Sequence, residues 1–205
     1  KSSDTAVVKP GAAVGLRKLV VIDPGHGGQP DDPTISQGAQ TSRRIDGRHY
    51  QEKDIVLDIA KYLEEYVKRS PNLDAYMTRR TDQYVSLDRR IELANQAQGD
   101  LFVSIHLNAT DSRFKTARGF EIYYLSNGEK ETNRTLEALE NDEGLDMDKT
   151  TSSREDVREI LRSLSNDKLR ERQAESRELC YLIDNEFRRQ GPFKEHHRGV
   201  KSAGF

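Results

Sequence analysis

Short dense apolar runs alternate along this chain with stretches of helical period, and together they predict most of the elements of a folded domain. Leu19, Val20, Val21 and Ile22 form a continuous apolar run that empties into Asp23-Pro24-Gly25-His26-Gly27-Gly28. A run with no polar alternation has both faces covered, so it predicts a buried strand that ends in a glycine-rich loop. From Glu52 to Arg69, Ile55, Ile59, Tyr62, Leu63 and Tyr66 recur at three- and four-residue spacing, which predicts an amphipathic helix with those side chains inward. Pro71 and Asn72 end it.

Ala75 to Thr78 reads as a second strand, and Ser86 to Gln96 as a short helix with Leu87, Ile91 and Ala94 on its inner face. Leu101 to Leu107 reads as a third strand and Gly119 to Leu125 as a fourth, rich in Phe, Ile and Tyr. Leu169 to Gln190 makes a long last helix, with Leu179, Leu182, Ile183 and Phe187 inward, stopped by Gly191 and Pro192. The residues after Pro192 read as a basic loop. Strands alternating with helices imply an α/β fold: a single domain with a mostly parallel twisted sheet flanked by helices.

Three stretches break the pattern. Residues 1–17 have no period and read as a linker or mobile N-terminus, so the domain is expected over 18–205. Residues 29–48 are rich in Pro, Asp, Ser, Gln and Gly, which marks a long exposed loop. Glu129, Glu131, Glu137, Glu140, Asp142, Glu143, Asp146 and Asp148 crowd one acidic segment. Ser152 and Glu155 then have capping-box spacing ahead of the stripe Val157, Ile160, Leu161 and Leu164. Residues 128–168 thus read as a helical insertion.

Composition narrows the function classes. The hydrophobic fraction is 34% and the charged fraction 33%, with the apolar residues clustered, as in a folded core under a highly charged surface. Lys plus Arg number 33 against 35 Asp plus Glu, and no basic run is interleaved with aromatics, which argues against a nucleic-acid partner. No apolar stretch approaches the ~20 residues that span a bilayer, and the start lacks the regions of a signal peptide. The chain is therefore expected to be soluble, with any leader removed ahead of Lys1. Cys180 is the one cysteine, so an internal disulfide is excluded. Set among Leu179, Tyr181 and Leu182, it reads as a small buried apolar residue rather than a nucleophile.

The candidate chemistry lies at the ends of the predicted strands. His26 and His106 each follow an apolar run, and Glu52 opens the helix after the first glycine-rich loop. In an open α/β sheet the carboxyl ends of the strands share one crevice, where these three side chains can meet. A catalytic zinc takes three such protein ligands and leaves a fourth position to water. Taken singly, a histidine after a strand is more often a loop or core residue, and a glutamate in a helix's first turn commonly answers the macrodipole. A phosphate cradle at Gly25-His26-Gly27-Gly28 lacks the Lys-Ser/Thr of a P-loop and the spacing of a dinucleotide fingerprint.

Five runs carry a family resemblance: Val21-Ile22-Asp23-Pro24-Gly25-His26-Gly27-Gly28, Glu52-Lys53-Asp54-Ile55, Thr78-Arg79-Arg80-Thr81-Asp82, Ser104-Ile105-His106-Leu107-Asn108-Ala109 and Arg198-Gly199-Val200-Lys201-Ser202-Ala203-Gly204-Phe205. In this order they resemble the N-acetylmuramoyl-L-alanine amidases of the type that splits daughter cells. The resemblance implies zinc held by His26, Glu52 and His106. It also implies hydrolysis of the amide between N-acetylmuramic acid and L-alanine in peptidoglycan, and an extracytoplasmic address, the periplasm or cell envelope of a bacterium.

It further implies one more strand after Phe205 with a second glutamate as general base, so that this chain is expected to bind zinc and hydrolyse slowly. In the division-associated relatives, a helix at the place of 128–168 covers the site until an activator protein pulls it away, which makes Glu155 or Glu159 the candidate plug. The bland reading is that this stripe packs on the domain.

Asn108 is a candidate for orienting substrate or a ligand, against a plain structural hydrogen bond. Arg79 and Arg80 are candidates for a stem-peptide carboxylate, against internal salt bridges to Asp82 or Asp88. His49 is a candidate substitute ligand, and it, His196 and His197 are expected to be solvent-exposed. The competing functions are a zinc peptidase of related architecture and a non-catalytic wall-binding module with a structural zinc.

Overall fold

The computed structural model describes residues 17–28, 38–41, 43–107, 118–125, 166–190, 193–194 and 196–203. The 1–17 linker except Arg17, residues 29–37 and 42 of the 29–48 loop, Asn108, and residues 128–165 of the 128–168 insertion, with Glu155 and Glu159, lie outside the described residues. The described elements in chain order are β1 (Lys18–Pro24), α1 (Glu52–Lys68), β2 (Leu73–Met77), α2 (Leu87–Gln96), β3 (Leu101–Ile105), β4 (Phe120–Leu125), α3 (Asn166–Arg189) and β5 (His197–Ala203). The pairings between the described strands are parallel, so the class is α/β. The contacts divide the described residues into two compact units, one made of those within 1–28 and 50–105, the other of those within 29–49 and 106–205.

In the first unit the sheet order is β2-β1-β3, which makes β1 central. Its apolar run has the burial expected of such a strand, with Val21 and Ile22 fully enclosed. Val20 and Ile22 share one face with Ala75 and Met77 of β2, and α1 covers that face with Leu57 and Ala60. Each fully buried aliphatic side chain here contributes about 1.5–3 kcal/mol. On the other face Gly99, just past α2, lies so close to Val21 that a Cβ there would strike its methyl group.

The helix α1 exists as predicted, but its inner face is rotated roughly a third of a turn from the predicted one. Val56, Leu57, Ala60 and Glu64 are buried, whereas Tyr62 and Tyr66 are 70% and 71% exposed. Small Ala60 lets the helix approach the sheet, and the tyrosines keep their hydroxyls in water. Glu64 tolerates burial because Arg80 forks onto both its oxygens and Lys68 binds one at 2.7 Å. Burial alone would raise this carboxyl, but those hydrogen bonds outweigh it and hold it below the ordinary carboxylate range.

The helix α2 is capped by the Ser86 hydroxyl, which accepts from the Arg89 N–H. Its predicted inner residues Leu87 and Ile91 are exposed, and the side chain it buries is Arg90.

In the second unit β4 pairs with β5, an element the sequence pattern does not predict. The partners run from Phe120 with His197 to Ile122 with Val200, so β5 holds one extra residue, and Gly199 there has φ 81°. Such a bulge breaks the two-residue alternation on which a strand is recognised. His197 therefore opens a strand instead of lying in a loop, though it is exposed as expected.

The rings of Phe120, Phe187 and Phe193 pack together at centroid separations of 4.8–5.6 Å. Leu182, predicted inward on α3, is 58% exposed; Cys180 and Asp184 are the buried pair. Burial pushes the Cys180 thiol up, and its Sγ lies 3.6 Å from the Tyr123 carbonyl, so it is the inert apolar residue expected. Among the described residues no helix is long and apolar enough to cross a membrane.

Candidate metal centre

The register of the sheet brings the two histidines to the same edge. Pro24 of β1 pairs with Ile105 of β3, and the Gly25 N–H donates to the Ile105 carbonyl at 2.9 Å. His106 is the next residue after Ile105, placed by β3 itself, and His26 lies two residues past Pro24. Glu52 is the first residue of α1, where the helix N-terminus favours a negative charge.

The three predicted ligands come together. One ligand atom from each of His26, Glu52 and His106 lies within 4.8 Å of the others. His26 and Glu52 are 6% and 5% exposed, and His26 Nε2 stands 3.3 Å from Glu52 Oε1. Ligands at about 2.0–2.1 Å from a tetrahedral ion lie about 3.3 Å apart, so the His26–Glu52 separation equals one edge of such a site. Two imidazoles and one carboxylate are also a donor set that suits a borderline-soft divalent cation. The residues present therefore fit a metal ion. His49 is not in the group: it is exposed, with Nδ1 2.8 Å from the Thr41 carbonyl.

The loop that carries His26 is held in an uncommon conformation. His26, Gly27 and Gly28 all have positive φ, 53°, 119° and 63°. For a histidine this costs about 1–2 kcal/mol. Both glycines are required by close approach as well, since a Cβ would strike the Gln83 carbonyl at Gly27 and the Tyr84 backbone nitrogen at Gly28. Asp82 anchors the end of the loop, accepting from the Gly28 N–H at 2.6 Å and from Lys53 Nζ at 2.7 Å. The Lys53 hydrogen bond, with that of Gly28 against a smaller burial effect, holds the Asp82 carboxyl below its usual range.

Arg79 departs from its predicted use. It is 1% exposed, and its nitrogens donate to the carbonyls of Pro24, Gly25, Lys53 and Thr81 at 2.7–3.2 Å. A guanidinium enclosed in this way presents no fork to a stem-peptide carboxylate, because backbone oxygens already take its donors. Burial first, then the neighbouring Arg90, lowers its pKa from the ordinary arginine value. Arg80 is exposed and pairs with Glu64 rather than Asp82 or Asp88.

Sequence reasoning missed Arg90 and Asp23. Arg90 is 5% exposed and donates to Asp23 Oδ1 at 2.7 Å and to the carbonyls of Val85, Pro24 and His26 at 2.7–2.9 Å. Asp23 also accepts from the hydroxyls of Thr78 and Ser104. The signal in the sequence was an aspartate inside an otherwise apolar strand, since a buried carboxylate requires a partner.

Residues 20–205 match the family described as N-acetylmuramoyl-L-alanine amidase. The chain is 38% identical over 106 residues to N-acetylmuramoyl-L-alanine amidase AmiC of Escherichia coli O6:H1, which covers 51% of this chain and 23% of that protein. It is 39% identical over 107 residues to N-acetylmuramoyl-L-alanine amidase LytC of Bacillus subtilis, covering 52% and 18%. It is 32% identical over 145 residues to the probable cell wall amidase LytH of Staphylococcus aureus, covering 71% and 43%. A solved N-acetylmuramoyl-L-alanine amidase from Clostridium difficile 630 overlaps with a TM-score of 0.44 at 36% identity, over 58% of this chain and 57% of that one. The chain thus spans less than half the length of each of these curated relatives.

Proposed function

We propose that this chain, which belongs to the N-acetylmuramoyl-L-alanine amidase family, is a zinc-dependent hydrolase of the amide between N-acetylmuramic acid and L-alanine in peptidoglycan. The observation that carries this reading is the approach of His26, Glu52 and His106 to within 4.8 Å of one another. Zinc, when bound there, lowers the pKa of a water toward about 7 and polarises the scissile carbonyl. The two imidazoles bind as neutral donors, and Glu52 brings the one negative charge among the three. His26 and Glu52 are buried and His106 is half-buried, which limits the access of bulk water to the ion. The family description and the cell-wall name of one relative support peptidoglycan as partner and an extracytoplasmic address in a bacterium.

Three finer readings belong to the same proposal: a role in wall remodelling and daughter-cell separation, a plug formed by Glu155 or Glu159 in the 128–168 insertion, and an activator protein that releases it. Deleting 128–168 from the active enzyme is expected to raise turnover, and unchanged turnover would refute autoinhibition. The core proposal is tested by elemental analysis and product analysis together. About one zinc per chain is expected, near zero for His26→Ala, with products from purified muropeptides split at the glycan–peptide junction. Cleavage between amino acids would mark a peptidase, and no bound metal in the folded chain would refute the proposal.

A further inference from the structure

The two ligand-bearing segments meet at one nitrogen. Arg79 Nη2 donates to the carbonyl of Gly25, the residue before His26, at 2.7 Å, and to the carbonyl of Lys53, the residue after Glu52, at 2.8 Å. Arg90 Nη2 donates to the carbonyl of His26 itself at 2.7 Å, and both guanidiniums share the Pro24 carbonyl at 2.9 Å. Pro24, Gly25 and His26 thus have three successive carbonyl oxygens taken by two buried arginines. Asp23 locks the Arg90 fork in place.

We propose that Arg79 and Arg90 are positioning residues of the metal centre, Arg79 setting the separation of His26 from Glu52 and Arg90 holding His26 in its left-handed backbone conformation. The proposal rests on the metal reading above. Electrostatics alone would give the opposite effect. Two fixed cations beside a site for a divalent cation repel it, and Asp23 neutralises only part of that charge. The arginines are tolerable beside a metal because a planar five-donor fork can hold several carbonyls of a loop at once, which lysine cannot. Outer contacts that orient ligands typically change metal affinity about 10- to 100-fold.

The sign of the change separates geometry from charge. Zinc dissociation constants would be measured by chelator competition, well below the melting temperature, for the unaltered chain, Arg79→Lys, Arg79→Met, Arg90→Lys and Val56→Ala. Val56 is fully buried in α1 and its aliphatic side chain makes no hydrogen bond to these carbonyls, so it reports how mere loss of stability affects binding. The expected result is affinity weakened about tenfold or more in all three arginine variants and unchanged in Val56→Ala. The cobalt-substituted visible spectrum is expected to shift in the arginine variants alone.

Tighter binding by Arg79→Met with no change in Arg79→Lys would show an effect of charge and overturn the proposal, as would an affinity loss matched by Val56→Ala. Should the Arg79 variants not fold, Arg90→Lys decides: an affinity loss of about tenfold beyond that of Val56→Ala supports the proposal, and an affinity equal to that of the unaltered chain overturns it. Failure of the unaltered chain to bind zinc would overturn the metal reading instead, and this proposal with it.

Discussion

Removing the Asp23 carboxylate should unfold much of the first unit's stability, and its cost can be worked from the contacts. Asp23 and Arg90 are 3% and 5% exposed, and they form a buried ion pair at 2.7 Å. Asp23→Ala leaves a buried guanidinium without a counterion, which costs about 3–5 kcal/mol. Thr78, 4% exposed, also loses the acceptor of its hydroxyl, worth about 1 kcal/mol. Ser104 is exposed and water can replace its partner. The three backbone carbonyls that remain on Arg90 pull the sum toward the lower end, giving about 4–5 kcal/mol. A natural domain has about 5–15 kcal/mol in all. Asp23→Asn keeps an acceptor without the charge and should cost less. Urea melts followed by circular dichroism give the comparison, provided the slope with denaturant is unchanged. A cost below about 1 kcal/mol for Asp23→Ala would show that Arg90 is solvated or otherwise neutralised, and the buried-network argument would fail.

Acid should weaken the fold through Glu64. Its folded carboxyl titrates below the ordinary 4.5, so its contribution is complete above that value and is lost as pH falls through 4.5 toward the lowered folded value. Melting temperature against pH should show a shallower acid limb for Glu64→Gln, and identical limbs would refute the assignment. Gly28→Ala should destabilise by about 1–3 kcal/mol, since φ 63° and the Tyr84 backbone both oppose a side chain; a melt equal to that of the unaltered chain would refute it. The Cys180 thiol should react with an aromatic disulfide at least about tenfold more slowly in the folded chain than in denaturant, because burial raises its pKa. Equal rates would mean that it is accessible.

What the sequence made legible follows from which forces leave a trace along the chain. The run Leu19–Ile22 and the glycines after it revealed β1 and its loop, because a strand buried on both faces must be apolar throughout. The phase of α1 was misread because apolar residues cover more than half its circumference. Ala60 gives little signal beside the large tyrosines, although small side chains are what let a helix sit close to a sheet. β5 was missed because the bulge at Gly199 destroys its alternation. The three side chains of the candidate metal centre were legible because His26 and His106 stand where apolar runs stop and Glu52 where a helical period starts. The shell behind them was not.

That gap has one physical origin. Hydrophobic periodicity records which residues avoid water, so it assigns every arginine to the surface by default. Arg79, Arg80 and Arg90 carry the same charge within a dozen residues, yet Arg80 is exposed while the other two are among the most buried side chains described. What separates them is the supply of partners: Arg79 and Arg90 meet the backbone carbonyls of Pro24, Gly25 and His26, at and just past the end of β1, where the regular ladder stops. A loop that must carry a metal ligand past the edge of a sheet creates a deficit of donors there. Buried guanidiniums are the groups able to meet that deficit while exposing nothing to solvent. The arginines are thus a consequence of placing His26 beyond β1, and a chain that kept its histidine but lost them would have to satisfy the carbonyls of Pro24, Gly25 and His26 with water, loosening the loop that carries His26.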